Sequence, residues 1–309
     1  MSTTHRTSVA VAICTYNRNG PLATLLDALI VCAARLGQRA GVAVVVVDDS
    51  SDGKARAVVE RYEGRFELGI VYRVSGKQNI SLARNLAIGT ACELADWTAM
   101  TDDDCEPVPE WLVAMLDMLE KTGATCATGP MHRRVPQGSP RWIEDEPFLE
   151  LGIELPEDGA DSTMASTFNS IISSRWLKDH PEIRFQPSLG VIGGEDMVFY
   201  RAAHAAGLKI RYSRFGSVYE NEPPSRATLA YQLRLFYWHG NSSYVSSVRS
   251  GVAPARMFLH GANSLRKAVI RPLTRVLRGE RPQLRYCLAL MLHSAGKMVG
   301  PLGVRVEHR

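Results

Sequence analysis

Cysteine is sparse and unpaired along these 309 residues: Cys14, Cys32, Cys92, Cys105, Cys126 and Cys287 are scattered, with no CxxC and no paired spacing. That usage excludes a disulfide scaffold and points to a reducing, cytoplasmic setting. Several of the six sit in apolar runs, where free cysteine behaves as a small hydrophobe. Met1 to Ser8 is short and polar and leads into only a brief apolar strand, so no signal-peptide core is expected. No window reaches the roughly 18 uncharged apolar residues of a spanning helix. No GxGxxG follows the first apolar run and no GxxxxGK[ST] occurs, which excludes the dinucleotide fingerprint and the P-loop. No internal repeat is visible.

What the chain does have is ordinary globular material, 45% hydrophobic and 22% charged, enough for one large domain or one domain with an appendage. Its charge is unevenly spread. From Val252 onward there are eleven Lys/Arg against two Asp/Glu, a net of +9, while the first 251 residues carry a net of −5. The expected division is a catalytic body over 1–250 and a basic amphipathic tail over 251–309 that meets something anionic. In the tail, Arg266, Lys267, Arg271, Arg275, Arg278, Arg281 and Arg285 alternate with aliphatic residues, the pattern of an interfacial helix on anionic lipid. Few aromatics in the tail and an acidic body argue against nucleic acid.

The first 131 residues alternate strand and helix: strands at 8–14, 42–47, 68–74, 97–101 and 124–130, helices at 21–36, 54–62, 81–94 and 109–121. Such alternation predicts an α/β fold with a parallel sheet covered on both faces and right-handed crossovers. Periodicity dissolves from Arg133 to about Ser162, an irregular connection long enough to act as a lid. A strand at 164–173, a helix at 197–206, short strands at 209–212 and 217–220 and a helix at 227–243 follow.

The most informative stretch is Trp97 to Asp104, an apolar run ending in Asp102-Asp103-Asp104. Three adjacent carboxylates repel one another unless a cation shares them. A hard divalent ion completed by substrate phosphates suits them, with Asp104 and Asp102 as direct ligands. A second acid-tipped strand runs Val44–Val47 into Asp48-Asp49. In open α/β sheets ligands bind beyond the carboxyl ends of the strands. Around that crevice Thr15 and Tyr16 offer a shelf for a nucleobase, and Asp49 or Asp48 an acceptor for a base N–H. Ser81 is a plausible helix cap, and Arg84, one turn in, a partner for base or phosphate. Gly193-Gly194-Glu195-Asp196 places two small residues beside two acids at a helix start, where a carboxylate can serve as general base. Arg234 and Trp238, on an aromatic-rich helix, are candidates to contact the diphosphate or acceptor.

Together, Cys14-Thr15-Tyr16-Asn17-Arg18, Val47 to Asp52, Asn79 to Asn85, Asp102-Asp103-Asp104 and Gly193 to Asp196 resemble the family 2 glycosyltransferases of GT-A fold, over about Val9 to Tyr244. Within them, Asn79 to Asn85 and Gly194-Glu195-Asp196 look closest to succinoglycan-type exopolysaccharide glucosyltransferases. The resemblance implies a Rossmann-like, mostly parallel sheet and a nucleoside-diphosphate sugar donor, usually UDP-linked, with Mg²⁺ or Mn²⁺ on the aspartates. It implies inversion at the anomeric carbon with Asp196 as base, Asp49 on the nucleobase, and Arg84 near it. Asp48, Asp102 and Asp103 join the donor contacts, and Glu195 and Gly194 the acceptor or diphosphate contacts. Many relatives carry His where Tyr219 stands, which leaves open whether a third protein ligand completes the metal site, with Glu220 as the candidate substitute. The acceptor is expected to be a saccharide, free or lipid-linked, at the inner face of the membrane. Two rivals stand beside this reading: a nucleotidyltransferase, which ordinarily has a basic Gly-rich loop after its first strand, and a non-catalytic nucleotide-sugar-binding scaffold.

Overall fold

The computed structural model describes residues 6–150 and 155–307. Part of the expected lid, residues 151–154, lies outside them. In chain order the elements are β1 (Thr7–Thr15), α1 (Asn19–Leu36), β2 (Ala40–Asp48), α2 (Arg56–Glu60), β3 (Ile70–Val74), α3 (Ile80–Leu94), β4 (Trp97–Met100), β5 (Cys105–Pro107) and α4 (Trp111–Thr122). There follow β6 (Cys126–Thr128), β7 (Met131–Arg134), α5 (Trp142–Asp145), β8 (Asp161–Ser162), β9 (Ser170–Ser173), α6 (Ser174–Asp179) and α7 (Glu195–Ala205). The chain closes with β10 (Ile210–Tyr212), β11 (Val218–Asn221), α8 (Leu229–Arg249), α9 (Pro254–Leu277) and α10 (Leu284–Val299).

Eight strands form one sheet in the order β3-β2-β1-β4-β9-β6-β10-β8. β1 is parallel to β2 and β4, β2 to β3, and β6 to β10. The sheet is mostly parallel, as expected; β9 runs antiparallel between β4 and β6, and β8 antiparallel to β10. β9 arrives by the long connection after β7, not by the helical crossover that parallel neighbours require. A smaller sheet, β5-β11-β7, was not foreseen as a separate sheet.

Strand burial explains why the strands were readable. Every residue of β2 is buried, as expected of a parallel strand covered on both faces. Alternate residues go to opposite cores. Val9, Val11, Ile13, Val42, Val44 and Val46 pack with the leucines of α1 and with Trp111, Leu112 and Met115 of α4. Ala10, Ala12, Ala43, Val45 and Val47 pack with Ala83, Ala87 and Ala91 of α3 and with Phe185 and Phe199. By length and composition Asn19–Arg39 passes as a membrane-crossing helix, which the sequence reading did not anticipate. Its Leu22, Leu25, Leu26, Leu29 and Cys32 are nonetheless fully buried in the first of these cores.

Among the described residues the chain divides into two compact units: 6–132, 155–190 and 199–221 in the first, and 133–150, 191–198 and 222–307 in the second. The first holds the eight-stranded sheet. The second holds α8, α9 and α10 with their own core, in which Ile143, Phe148, Tyr286 and Ala289 meet Leu233 and Phe236. Arg133 and Glu222 form a buried ion pair there, and Arg133 also donates to the Phe148 carbonyl at 2.7 Å.

Helices α8 and α10 touch backbone to backbone. A Cβ on Gly240 would lie 1.9 Å from the His293 carbonyl oxygen, and one on Gly296 would lie 2.2 Å from that of Tyr237. Gly240→Ala is therefore expected to destabilise the chain by about 1–3 kcal/mol, the ordinary cost of overpacking. Gly89→Ala, in α3 with nothing within 4 Å of the added carbon, is expected to stabilise it by about 0.5–1 kcal/mol. Denaturant unfolding of the two variants checks both signs.

Candidate active site

The loops at the carboxyl ends of β1 and β4 carry a compact charged cluster. Asp103 is buried, accepting the Thr15 hydroxyl at 2.8 Å and Arg18 Nη1 at 3.0 Å. The same Arg18 nitrogen reaches Asp104 Oδ2 at 2.7 Å. Arg84 Nη2 lies 3.3 Å from Asp102 Oδ1, with its guanidinium 5.8 Å from the centre of the Phe185 ring. Each of the three carboxylates thus has a guanidinium partner. Arg18 was not singled out from the sequence on its own account. The signal was available, since three adjacent acids require cations and the loop after β1 neighbours the loop after β4 once β1 and β4 pair.

Electrostatics separate the three aspartates. Burial pushes the Asp103 carboxyl up to about 6, although Arg18 and the Thr15 hydroxyl pull it down. Burial also raises Asp102, with Arg84 opposing and Asp104 adding to the rise. Burial opposes the charge on Arg18, yet Asp103 and Asp104 hold its pKa above the usual arginine value. Asp103 is a brace inside the fold. Asp102 is the most open of the three, with 38% of its side chain exposed against 5% and 10% for Asp103 and Asp104.

The pair after β2 separates as well. Asp48 is fully buried, and its carboxylate accepts the Ser50 amide and hydroxyl, the Ala55 amide and the Tyr72 hydroxyl. These four donors make it the organiser of its own turn. Asp49 accepts the Ser75 hydroxyl and the Lys77 amide, binding the loop after β2 to the loop after β3. Asp49 is buried too, 5% exposed, with both of these bonds on Oδ1. Tyr16 is 46% exposed. Asn17 and Gln78, in the loops after β1 and β3, adopt left-handed φ of 55° and 50°, a conformation uncommon outside glycine and costly unless the surroundings enforce it.

The Asn79–Asn85 stretch has a clear structural role. Asn79, not Ser81, caps α3 by accepting the Leu82 amide. The Ser81 hydroxyl is buried with no partner among the described residues. Asn79 also donates to the Pro187 carbonyl, and Asn85 makes paired bonds to the backbone of Phe185 at 2.8 and 2.9 Å. Both asparagines hold the segment that leads into Gly193-Gly194-Glu195-Asp196.

In the second unit, that loop is fastened to α8. Trp238 Nε1 donates to the Ile192 carbonyl at 2.8 Å. Gly193 and Gly194 have φ of 91° and 84°, and a Cβ on either would strike Trp238 or Ser246. The close approach that these glycines permit is therefore to α8, where the sequence suggested a substrate. Trp238 is a clamp for the loop, and Arg234 lies over the Tyr231 ring at 5.8 Å. Glu195 and Asp196 open α7, and Asp196 Oδ1 accepts the Met197 amide at 2.7 Å.

Among the described residues no group of three or more His, Cys, Asp or Glu side chains forms a metal-ligand set. Tyr219 stands opposite Glu106 with its ring 5.3 Å from that of His132, and Glu220 lies opposite Cys105. Asp102 and Asp104 remain a pair of hard oxygen donors. That donor set fits Mg²⁺ or Mn²⁺, ions commonly held by one or two carboxylates plus substrate phosphates and water.

A family model described as glycosyl transferase family 2 matches residues 10–180. The succinoglycan biosynthesis protein ExoM of Rhizobium meliloti (strain 1021) is 30% identical over 260 residues, covering 84% of this chain and 78% of that protein. Chondroitin synthase of Pasteurella multocida (strain Pm70) is 22% identical over 253 residues, 71% of this chain and 25% of that protein, so the chain spans about a quarter of its length. In fold, the crystal structure of S. aureus TarS 1-349 in complex with UDP-GlcNAc is similar at a TM-score of 0.53 and 15% identity, covering 96% of this chain and 92% of that one. The unliganded TarS 1-349 structure gives a TM-score of 0.55.

Proposed function

This chain belongs to glycosyl transferase family 2, and from that premise we propose that it moves a sugar, with inversion, from a UDP-linked donor to a growing cell-surface or exopolysaccharide acceptor. The observation that carries the donor half of this reading is the cluster at the carboxyl ends of β1 and β4, in which Thr15, Arg18, Arg84 and Asp102 to Asp104 hold one another beside the loop bearing Asp49. The saccharide acceptor follows from the likeness to the succinoglycan biosynthesis protein of Rhizobium meliloti.

Each residue then has a task. Asp49 accepts a hydrogen bond from the nucleobase and Tyr16 stacks on it. Asp103 braces Thr15 and Arg18 and so fixes the loops on either side of the donor. Asp102 and Asp104 would hold Mg²⁺ or Mn²⁺, which when bound would supply positive charge to the diphosphate. Asp196 takes the proton of an acceptor hydroxyl as that oxygen bonds to the anomeric carbon and the bond to the diphosphate breaks. Trp238 and the two glycines keep the Asp196 loop in place.

Thermal-shift measurements across a panel of nucleotide sugars, with and without Mn²⁺, test the reading, followed by product analysis of the best donor. A stabilising UDP-sugar that yields free UDP and a glycosylated acceptor or hydrolysed sugar is the expected result. Pyrophosphate as product would reassign the chain to nucleotidyl transfer. Absence of any turnover with every donor that binds would leave only a binding protein.

A further inference from the structure

Helix α9 carries two unlike faces. Met257, Gly261 and Ala268 are buried, and a Cβ on Gly261 would lie 2.8 Å from Met298 Cγ of α10. That stripe is the helix's attachment to the rest of the second unit. The other face is apolar yet uncovered: Phe258 is 41% exposed, Leu259 67%, Val269 55%, Leu273 62%, Val276 55% and Leu277 77%. At 3.6 residues per turn these six fall within an arc of about 100°, with Ile270 at its edge and the exposed Arg266 inside it. Leu284 and Leu288 of α10 are exposed as well. Exposed apolar residues scattered singly need no explanation, whereas exposed apolar residues gathered on one face at both ends of a helix, densest over Val269–Leu277, mark something it docks against.

The charge on the same helix says what. Between Pro254 and Gly279 there are six Lys/Arg and no Asp/Glu. Arg256, Lys267 and Arg278 lie about 60–100° beyond one edge of the stripe by the same helical geometry, and they make no ion pair among the described residues. We propose that α9 lies in the plane of an anionic phospholipid surface, with Phe258, Leu259, Val269, Leu273, Val276 and Leu277 in the acyl boundary and Arg256, Lys267 and Arg278 among the headgroups. An apolar face flanked by cations is the composition that binds at such a boundary. A second copy of this chain on the same face would set arginine against arginine, whereas anionic headgroups complement it. The inference rests on α9 alone and stands whether or not the donor reading does.

Co-sedimentation of the full chain with phosphatidylcholine vesicles, with and without phosphatidylglycerol, tests it. Binding is expected to the anionic vesicles only and to weaken steeply with added salt. The triple variant Leu273→Gln, Val276→Gln, Leu277→Gln is expected to lose roughly tenfold or more in vesicle affinity. Its unfolding transition is expected to stay put, since all three side chains are exposed. Arg256→Gln with Lys267→Gln and Arg278→Gln is expected to lower binding to a similar degree by removing headgroup attraction. Failure to bind anionic vesicles, or binding that the leucine–valine variant leaves intact, overturns the proposal. So does light scattering that shows a dimer dissolved by that variant, which would give the face to a second copy.

Discussion

Asp196→Asn is expected to lower sugar transfer by about 10²–10⁴-fold, the range for loss of a positioned general base, with donor binding nearly unchanged. The substitution is close to isosteric. An asparagine oxygen can still accept the Met197 amide that Asp196 accepts at 2.7 Å, so the start of α7 is expected to survive. What is lost is the ability to take a proton. The loss therefore belongs in kcat, with KM for the nucleotide sugar little altered. Glu195→Gln is the informative companion, because Glu195 is buried one residue away on the same helix turn. If Glu195→Gln removes turnover and Asp196→Asn spares it, the base is Glu195. A Trp238→Phe variant separates position from chemistry: it removes the indole donor to the Ile192 carbonyl and is expected to cost less than Asp196→Asn, because the carboxylate remains.

How much of this was visible beforehand depends on which physical signal each part leaves in the chain. The strands of the parallel half were legible because burial on both faces writes a near-continuous apolar run, as in Val42–Val47. α1 was legible from its leucine stripe, and α3 from the run after Asn79. The direction of β9 was not: an apolar run such as Ile171-Ile172 is the same whether its neighbours run with it or against it, and only the connection before it decides. α2 shrank to Arg56–Glu60 because apolar positions at 58 and 59 make too short a stripe to extend it. At the site, aspartates announced themselves by mutual repulsion, but which of them faces outward did not follow from adjacency. Asp48 and Asp49 are neighbours in sequence, yet Asp48 is consumed by Ser50, Ala55 and Tyr72. Arg18 looked like any polar residue of a turn until the β1–β4 pairing set it against Asp103 and Asp104. Gly193 and Gly194 were read as positions of close approach to a substrate, whereas the group they approach is α8, which lies some forty residues further along the chain and leaves no local mark.

Asp104→Ala is expected to weaken the Mn²⁺-dependent part of donor affinity by about 10–100-fold, at least the loss that follows removal of a supporting group around a metal. Two consequences follow from the ion pairs. Arg18 loses its 2.7 Å contact to Asp104 but keeps Asp103 at 3.0 Å, so the loop after β1 is expected to stay in place and the unfolding transition to move little. Asp103→Ala should do the reverse. It strips the Thr15 hydroxyl of its buried acceptor and leaves Arg18, 38% exposed, with Asp104 alone, a change expected to cost about 1–3 kcal/mol, the range for a buried polar group left without its partner. The two variants together form the test: titrating donor affinity against Mn²⁺ and following thermal unfolding should show Asp104→Ala changing the metal response at nearly constant stability, and Asp103→Ala changing stability first. Equal metal dependence in wild type and Asp104→Ala would remove Asp104 from the ligand set. Because Asp102 is the more exposed carboxylate and is held by Arg84 at 3.3 Å, a response that vanishes instead in Asp102→Ala would pass the principal contact to that residue. Arg18 would then be left as the permanent counter-charge of Asp104, doing with a guanidinium what the sequence alone assigned to a metal.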